Sequence, residues 1–219
     1  MSIYGIMACC KNKGIGKDNK LPWKLNEDLK RFQKLTTGNG KNCIIMGRKT
    51  WESIKFLKGR DHLILSKNIS IEYKNEKNIV KSFSTINDVL KFIKEKQYEQ
   101  SWVIGGENIL KQFLELNLLD RIHLTFINEY YDCDVFMPKM PSNYFQTQSQ
   151  ILSEKTDTGK EVFLLIFHRA KTGMKVKYNF NIWNIVMIHY EDYPNIYFTI
   201  KDTEGNEKQT VKEKIKLIL

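Results

Sequence analysis

Twice in this chain an apolar, strand-like run ends at a glycine and turns at once into a helix-like segment. That repeated device constrains the fold more than any other feature. The first instance is Ile45-Met46-Gly47-Arg48-Lys49-Thr50-Trp51-Glu52-Ser53-Ile54. The second is Val103-Ile104-Gly105-Gly106-Glu107-Asn108, followed by Ile109, Leu110, Phe113 and Leu114 at helical spacing. Strands that feed directly into helices belong to α/β sheets with helices on their faces. Further strand candidates lie at residues 3–10, 42–46, 62–65, 102–104, 121–128 and 161–168. Helices are predicted over residues 26–35 and 84–97, the latter carrying Ile86, Val89, Leu90 and Ile93 at i, i+3, i+4 and i+7. Asp157-Thr158-Gly159 is a turn signal before the last of these strands. The expected fold is α/β: a mostly parallel central sheet with flanking helices, closed by an antiparallel hairpin near residue 169.

After Arg169 the character changes. Lys171-Thr172-Gly173 is a polar break, and residues 179–190 are dense in Ile, Trp, Val and Met. Ile196, Phe198 and Ile200 alternate with other residues as on a half-buried strand, and Glu204-Gly205-Asn206 is a turn. Residues 210–219 fit either a helix or a strand. We therefore divide the chain into residues 1–170 and a β-rich extension, 171–219.

Composition excludes several classes. With 42% hydrophobic and 27% charged residues the chain is ordinary globular, not disordered. The net charge of +10 rests on lysines scattered among acids, with only Arg31, Arg48, Arg60, Arg121 and Arg169 as arginines. Base readers lean on arginine, so no nucleic-acid partner is expected. The residues near the start carry no basic leader, and no stretch approaches the ~18 apolar residues of a membrane span. Cys9, Cys10, Cys43 and Cys133 show no C-x-x-C spacing and are expected to be reduced, with no metal site. A soluble cytoplasmic protein is the expectation.

Three groups of residues carry chemistry. In the first, Gly14-Ile15-Gly16 and Leu21-Pro22-Trp23 lead into a helix holding Glu27, Asp28, Leu29 and Phe32. Asp28 and Phe32 are four apart and share a helical face. A ring beside a carboxylate suits a flat heterocycle with an amino-substituted edge, and burial would raise the carboxylate's pKa toward acid–base use. Taken singly, Glu27 and Asp28 could equally be ordinary first-turn acids. In the second group, Arg48, Lys49 and Thr50 open a helix after Gly47, where free N–H groups, two cations and a hydroxyl suit an anion, with Thr50 able to cap the helix. Two adjacent bases suit the 2′-phosphate of NADPH. The third, Ile104-Gly105-Gly106, lets backbone approach a pyrophosphate, although the G-x-G-x-x-G fingerprint is absent.

Taken in order, Ile15-Gly16, Leu21-Pro22-Trp23, Asp28, the block 46–54, Gly59-Arg60, Ile104-Gly105-Gly106 and Leu124-Thr125 resemble dihydrofolate reductase over residues 3–169. The resemblance implies NADPH as cofactor and hydride transfer to dihydrofolate, giving tetrahydrofolate. It also implies catalytic roles for Asp28, Trp23, Thr125 and Leu21. Asp28 would hold the pterin edge and assist protonation through water, with Thr125 hydrogen-bonding the carboxylate and Trp23 holding the water. Ala8, Leu29, Phe32, Ile54, Leu57 and Ile104 would line the substrate pocket, and Arg60 would take the glutamate carboxylate. Ala8, Ile15 and Leu21 would flank the nicotinamide, with Leu110 near it, and Gly16 and Ile104 would also bind the cofactor. Gly47, Arg48, Lys49, Thr50, Ser53, Leu65, Ser66 and Lys67 would serve the adenosine and phosphates. Gly105, Gly106, Glu107, Asn108 and Ile109 would face the pyrophosphate, with a cis peptide between the two glycines. Leu110 departs from the family's usual aromatic residue, and Asn26 from a frequent proline.

The same fold with another substrate, a riboflavin-pathway pyrimidine reductase, is the nearest alternative. Pro22-Trp23, Asp28 and Arg60 argue against it. A non-catalytic binding module is the other. Dihydrofolate and diaminopyrimidine antifolates are the expected ligands of a monomer. The extension does not resemble the start of the thymidylate synthase joined to this enzyme in some lineages; packing on the first unit or self-association is expected of it, with a remnant or linker of a longer fusion as a third reading.

Overall fold

A computed structural model describes residues 2–75, 77–191 and 196–219, so Met1, Glu76 and four residues of the extension, 192–195, lie outside the described residues. The elements of the first part are β1 (Ile3–Cys10), β2 (Gly14–Gly16), α1 (Asn26–Thr37), β3 (Cys43–Gly47), α2 (Arg48–Ser53), β4 (Asp61–Leu65), β5 (Glu72–Asn75) and β6 (Asn78–Phe83). There follow α3 (Ile86–Lys96), β7 (Ser101–Gly105), α4 (Glu107–Glu115), β8 (Arg121–Ile127), β9 (Val135–Phe136), β10 (Tyr144–Ile151) and β11 (Val162–Arg169).

Nine strands make one sheet, ordered β10-β11-β8-β1-β7-β3-β4-β6-β5. From β8 to β6 the neighbours are parallel, and β10–β11 is the expected antiparallel hairpin. β3 shows why the middle of the sheet is apolar throughout. Cys43 and Ile45 face one core beneath α3 and α4, while Ile44 and Met46 face another with Phe32, Leu35 and Trp51. Both faces are covered, so every residue of a period-2 strand is buried. α3 starts at Ile86, two residues later than the pattern suggests, because the Thr85 hydroxyl caps it by accepting the Asp88 N–H at 3.1 Å.

The opposite edge carries a second antiparallel hairpin, β5–β6, that the sequence reading leaves out. Its run is short and broken by Lys81 and Ser82, and its support comes from across the pair, where Lys81 Nζ meets Glu72 at 2.8 Å.

Beyond Arg169 the chain forms a second sheet: β12 (Lys175–Tyr178), β13 (Asn181–His189), β14 (Tyr197–Lys201), β15 (Glu207–Val211) and β16 (Lys216–Ile218). The order is β15-β14-β13-β12-β16, antiparallel throughout. Residues 210–219 are neither a single helix nor a single strand: β15 ends, a 3-10 turn at Lys212–Lys214 reverses the chain, and β16 returns beside β12. Phe198, Ile200, Ile185 and Val176 share a core with Phe145 and Ala170 of the first part, the Phe145 and Phe198 rings lying 5.5 Å apart. Lys171 and Arg169 both reach Asp120, at 2.7 and 3.1 Å.

All four cysteines are free, and Cys9, Cys10 and Cys43 are buried. Among the described residues no helix is long and apolar enough to cross a membrane, and no His/Cys/Asp/Glu group could hold a metal.

Candidate active site

The carboxyl ends of parallel strands are where open α/β sheets leave room for ligands. Here Ala8 of β1, Gly47 of β3, Leu65 of β4 and Ile104-Gly105 of β7 border a cleft of about 1670 Å³. Every residue proposed from the sequence for catalysis, substrate or cofactor lines this cleft except Trp23. The cleft also has walls that the sequence reading did not include, among them Asn19, Lys20, Gln33, Lys58 and Gln112.

One side is made by the two strand–helix turns. Gly105 sits at φ +121° with open space where a side chain would stand, and the Gly105–Gly106 peptide is cis. Such a φ is closed to most L-residues, so glycine is the residue the turn requires. α2 has only six residues and its N-cap is Gly47, without a side-chain cap. Thr50 therefore does not cap it. It lies a turn further in, with its hydroxyl against Gly106. Arg48 is engaged by both carboxylate oxygens of Glu52 at 2.8 Å, whereas Lys49 and Lys67 are exposed.

The other side is built on α1. Asp28 Oδ1 accepts the Thr125 hydroxyl at 2.5 Å, and Thr125 is only 1% exposed. Burial pushes the Asp28 pKa above its usual value, Thr125 and the Arg31 guanidinium pull it down, and Glu154 raises it again. Leu21 and Leu29 are 53% and 49% exposed at the cleft, apolar surface that a flat ring would cover. Arg60 is 2% exposed, lies over the Phe32 ring at 5.7 Å, and donates to the Gln33 carbonyl and the Thr36 hydroxyl. Its Nε is buried without a partner.

Trp23 packs edge-on against Tyr131, with centroids 5.4 Å apart, in an apolar cluster with Leu25, Ile127 and Val162. Gly14 is required by close approach: a Cβ there would overlap the Cys133 sulfur where β2 pairs with β9.

Glu154 was not among the expected residues. Leu25, at the N-cap of α1, offers no side-chain bond. Glu154 instead accepts the N–H groups of Asn26 and Glu27 at 2.9 and 2.6 Å, while Glu27 accepts Ser153 Oγ and the Glu154 N–H at 2.6 and 3.1 Å. A reciprocal cap normally spans three residues. This one spans more than a hundred, and no local pattern announces it.

The dihydrofolate reductase family model matches residues 2–169. The chain is 36% identical over 180 residues to bifunctional dihydrofolate reductase-thymidylate synthase 1 of Arabidopsis thaliana, covering 77% of this chain and 34% of that protein. It is 32% identical over 165 residues to the dihydrofolate reductase of Heliothis virescens, covering 70% and 89%. It thus spans about a third of the bifunctional relative's length and most of the Heliothis protein. The solved dihydrofolate reductase of Enterococcus faecalis, complexed with NADP(H) and RAB-propyl, superposes with a TM-score of 0.64 at 26% identity over 78% of this chain and 97% of that one. A profile over three quarters of the sequence, with the cleft and its carboxylate in place, leaves one placement: the chain belongs to the dihydrofolate reductase family.

Proposed function

We propose that residues 1–170 reduce 7,8-dihydrofolate to 5,6,7,8-tetrahydrofolate with NADPH, feeding one-carbon metabolism and thymidylate synthesis. The observation that carries this reading is Asp28: a half-buried carboxylate, held by Thr125, at the wall of a cleft large enough for two ligands. The residues present suit the cofactor. Gly105 leaves open space at the strand end, and Arg48, Lys49, Ser66 and Lys67 stand at the same end of the cleft for phosphates. NADPH, when bound, supplies the hydride.

The chain's own residues supply position and protons. Asp28 accepts hydrogen bonds from the 2-amino-4-oxo edge of the pterin, and Thr125 fixes which oxygen faces it. Burial raises the carboxyl pKa, so Asp28 keeps a proton at higher pH than an exposed aspartate and can assist its delivery, through water, to the imine nitrogen. Phe32, Leu29, Ile54 and Leu57 form the apolar wall for the rings, with Ala8 and Ile104 at its floor. Arg60 takes the glutamate α-carboxylate, since its guanidinium is already oriented by Gln33 and Thr36. Ile15, Gly16 and Leu21, which line the cleft with Leu110, would cover the nicotinamide. Gly47, Thr50, Ser53, Leu65 and Gly106 to Ile109 border the phosphate path. Trp23, which lies off the cleft surface, is assigned to bracing the loop that enters α1.

Diaminopyrimidine antifolates are expected to bind, because a protonated ring pairs with Asp28. We treat residues 171–219 as an appendage of a monomer; sedimentation at two concentrations checks this. The free thiols fit a reducing compartment, and the cytoplasm is the one proposed. The deciding experiment mixes the protein with NADPH and dihydrofolate. Loss of nicotinamide absorbance is expected, and none, with a cooperative unfolding transition retained, overturns the assignment.

A further inference from the structure

Asp28 is not the only polar side chain by which α1 reaches β8. Three residues on, Arg31 Nη2 stands 3.0 Å from Nδ1 of His123. Residues i and i+3 share a helix face, and residues i and i+2 share a strand face. Positions 28 and 31 therefore look toward positions 125 and 123, and helix and strand are joined by two rungs, Asp28–Thr125 and Arg31–His123.

The second rung is buried polar chemistry that the reduction as described does not use. His123 is 6% exposed, its ring held edge-on against Trp102 with centroids 5.2 Å apart and tilted toward Tyr4 at 6.4 Å. Arginine can only donate. The contact thus requires a bare lone pair on Nδ1, hence a neutral imidazole with its proton on Nε2. The surroundings enforce that state: burial, then the guanidiniums of Arg31 and Arg121, then His168 push the His123 pKa down to about 4. Arg121 also lies over the Tyr4 ring at 5.4 Å. Arg31 Nη1 is buried with no partner, so little but His123 holds the guanidinium where it is. On the other side, the groups facing Asp28 are Thr125, Arg31 and Glu154.

We propose that Arg31, clamped by neutral His123, is a positioning residue for Asp28. It fixes the face of α1 against β8 and places a permanent positive charge one helical turn from the carboxylate, setting the pH range over which Asp28 exchanges its proton. The inference rests on the reading of Asp28 given above. It assigns to Glu154 the opposing charge, so the carboxylate titrates between a half-buried cation and an acid at the mouth of its own helix.

The test is the titration of the Asp28 carboxyl carbon by NMR, assigned with Asp28→Asn, beside the pH dependence of the reduction. In Arg31→Met the midpoint is expected to rise by about one pH unit. The alkaline limb of the rate profile should rise with it, because a carboxyl that keeps its proton longer supports turnover to higher pH. Arg31→Lys, which keeps the charge, should return both toward the parent values. Arg31→Met strands His123, so the double variant Arg31→Met/His123→Phe is made alongside. Removing both partners leaves no buried orphan, and the same upward shift is expected. An unmoved carboxyl titration in a folded Arg31→Met or double variant overturns the proposal. Should the parent protein fail to oxidise NADPH, the proposed function falls, while the carboxyl titration still decides whether Arg31 governs Asp28.

Discussion

On the side of the cleft proposed for the cofactor, Gly47 to Thr50 and Gly105 to Leu110 come from two strand–helix turns, each continuous in the chain. On the side proposed for the pterin the joined residues stand 92, 97 and 128 positions apart, as Arg31–His123, Asp28–Thr125 and Asn26–Glu154. The first side works through backbone shape and surface cations that water screens. The second works through hydrogen-bonded polar groups, half-buried at Asp28 and Arg31 and buried at His123 and Thr125, where water screens their mutual interaction less. A fault on the cofactor side should therefore be graded unless it strikes the backbone. A fault on the pterin side should spread to its neighbours.

Asp28→Asn gives the largest effect expected. Turnover at neutral pH falls by about 10²–10⁴-fold, while NADPH affinity, measured by fluorescence quenching, stays near the parent value. Equal loss of both would erase the distinction between the two sides. Gly105→Ala strikes the backbone at φ +121°. A strain of about 1–3 kcal/mol should weaken NADPH binding by roughly 10–100-fold while antifolate binding at Asp28 survives.

Acid should loosen the buried polar groups. His62 and His123 each have a folded pKa near 4 against 6.5 when unfolded. The unfolded chain thus binds more protons between those values, and stability falls as pH drops from about 6.5 to 4. A loss of about 2 kcal/mol for each is expected from urea unfolding across that range. Flat stability there would mean neither imidazole is held neutral. Glu154→Ala should cost about 1 kcal/mol by uncapping α1, and should lower the Asp28 titration midpoint, since Glu154 holds it up. The smallest effect is Lys49→Ala. A loss of roughly threefold in NADPH affinity at low salt, vanishing at high salt, is what an exposed cation contributes.

What could be read in the sequence follows the same division. β3, β7 and the turns after them were legible because a buried strand, a glycine and a helix start are local signals within ten residues. Asp28, Phe32 and Thr125 were found because the motifs around them are contiguous. The β5–β6 hairpin was missed since Lys81 and Ser82 interrupt its alternation and its stability lies in pairing at a sheet edge. Glu154, Arg31 and His123 carried no signal at all. Each is an ordinary polar residue until a partner about a hundred positions away is placed beside it. Residues 210–219 were ambiguous because the turn at 212–214 puts two short strands where one continuous periodicity was sought.

The contact of Phe145 with Phe198 joins the two sheets through one apolar interior. Elements that share an interior lose it together. The extension is therefore expected to melt in the same calorimetric transition as the cleft. Its influence on the heat tolerance of the whole chain would be felt at the pterin wall, a region none of its side chains line.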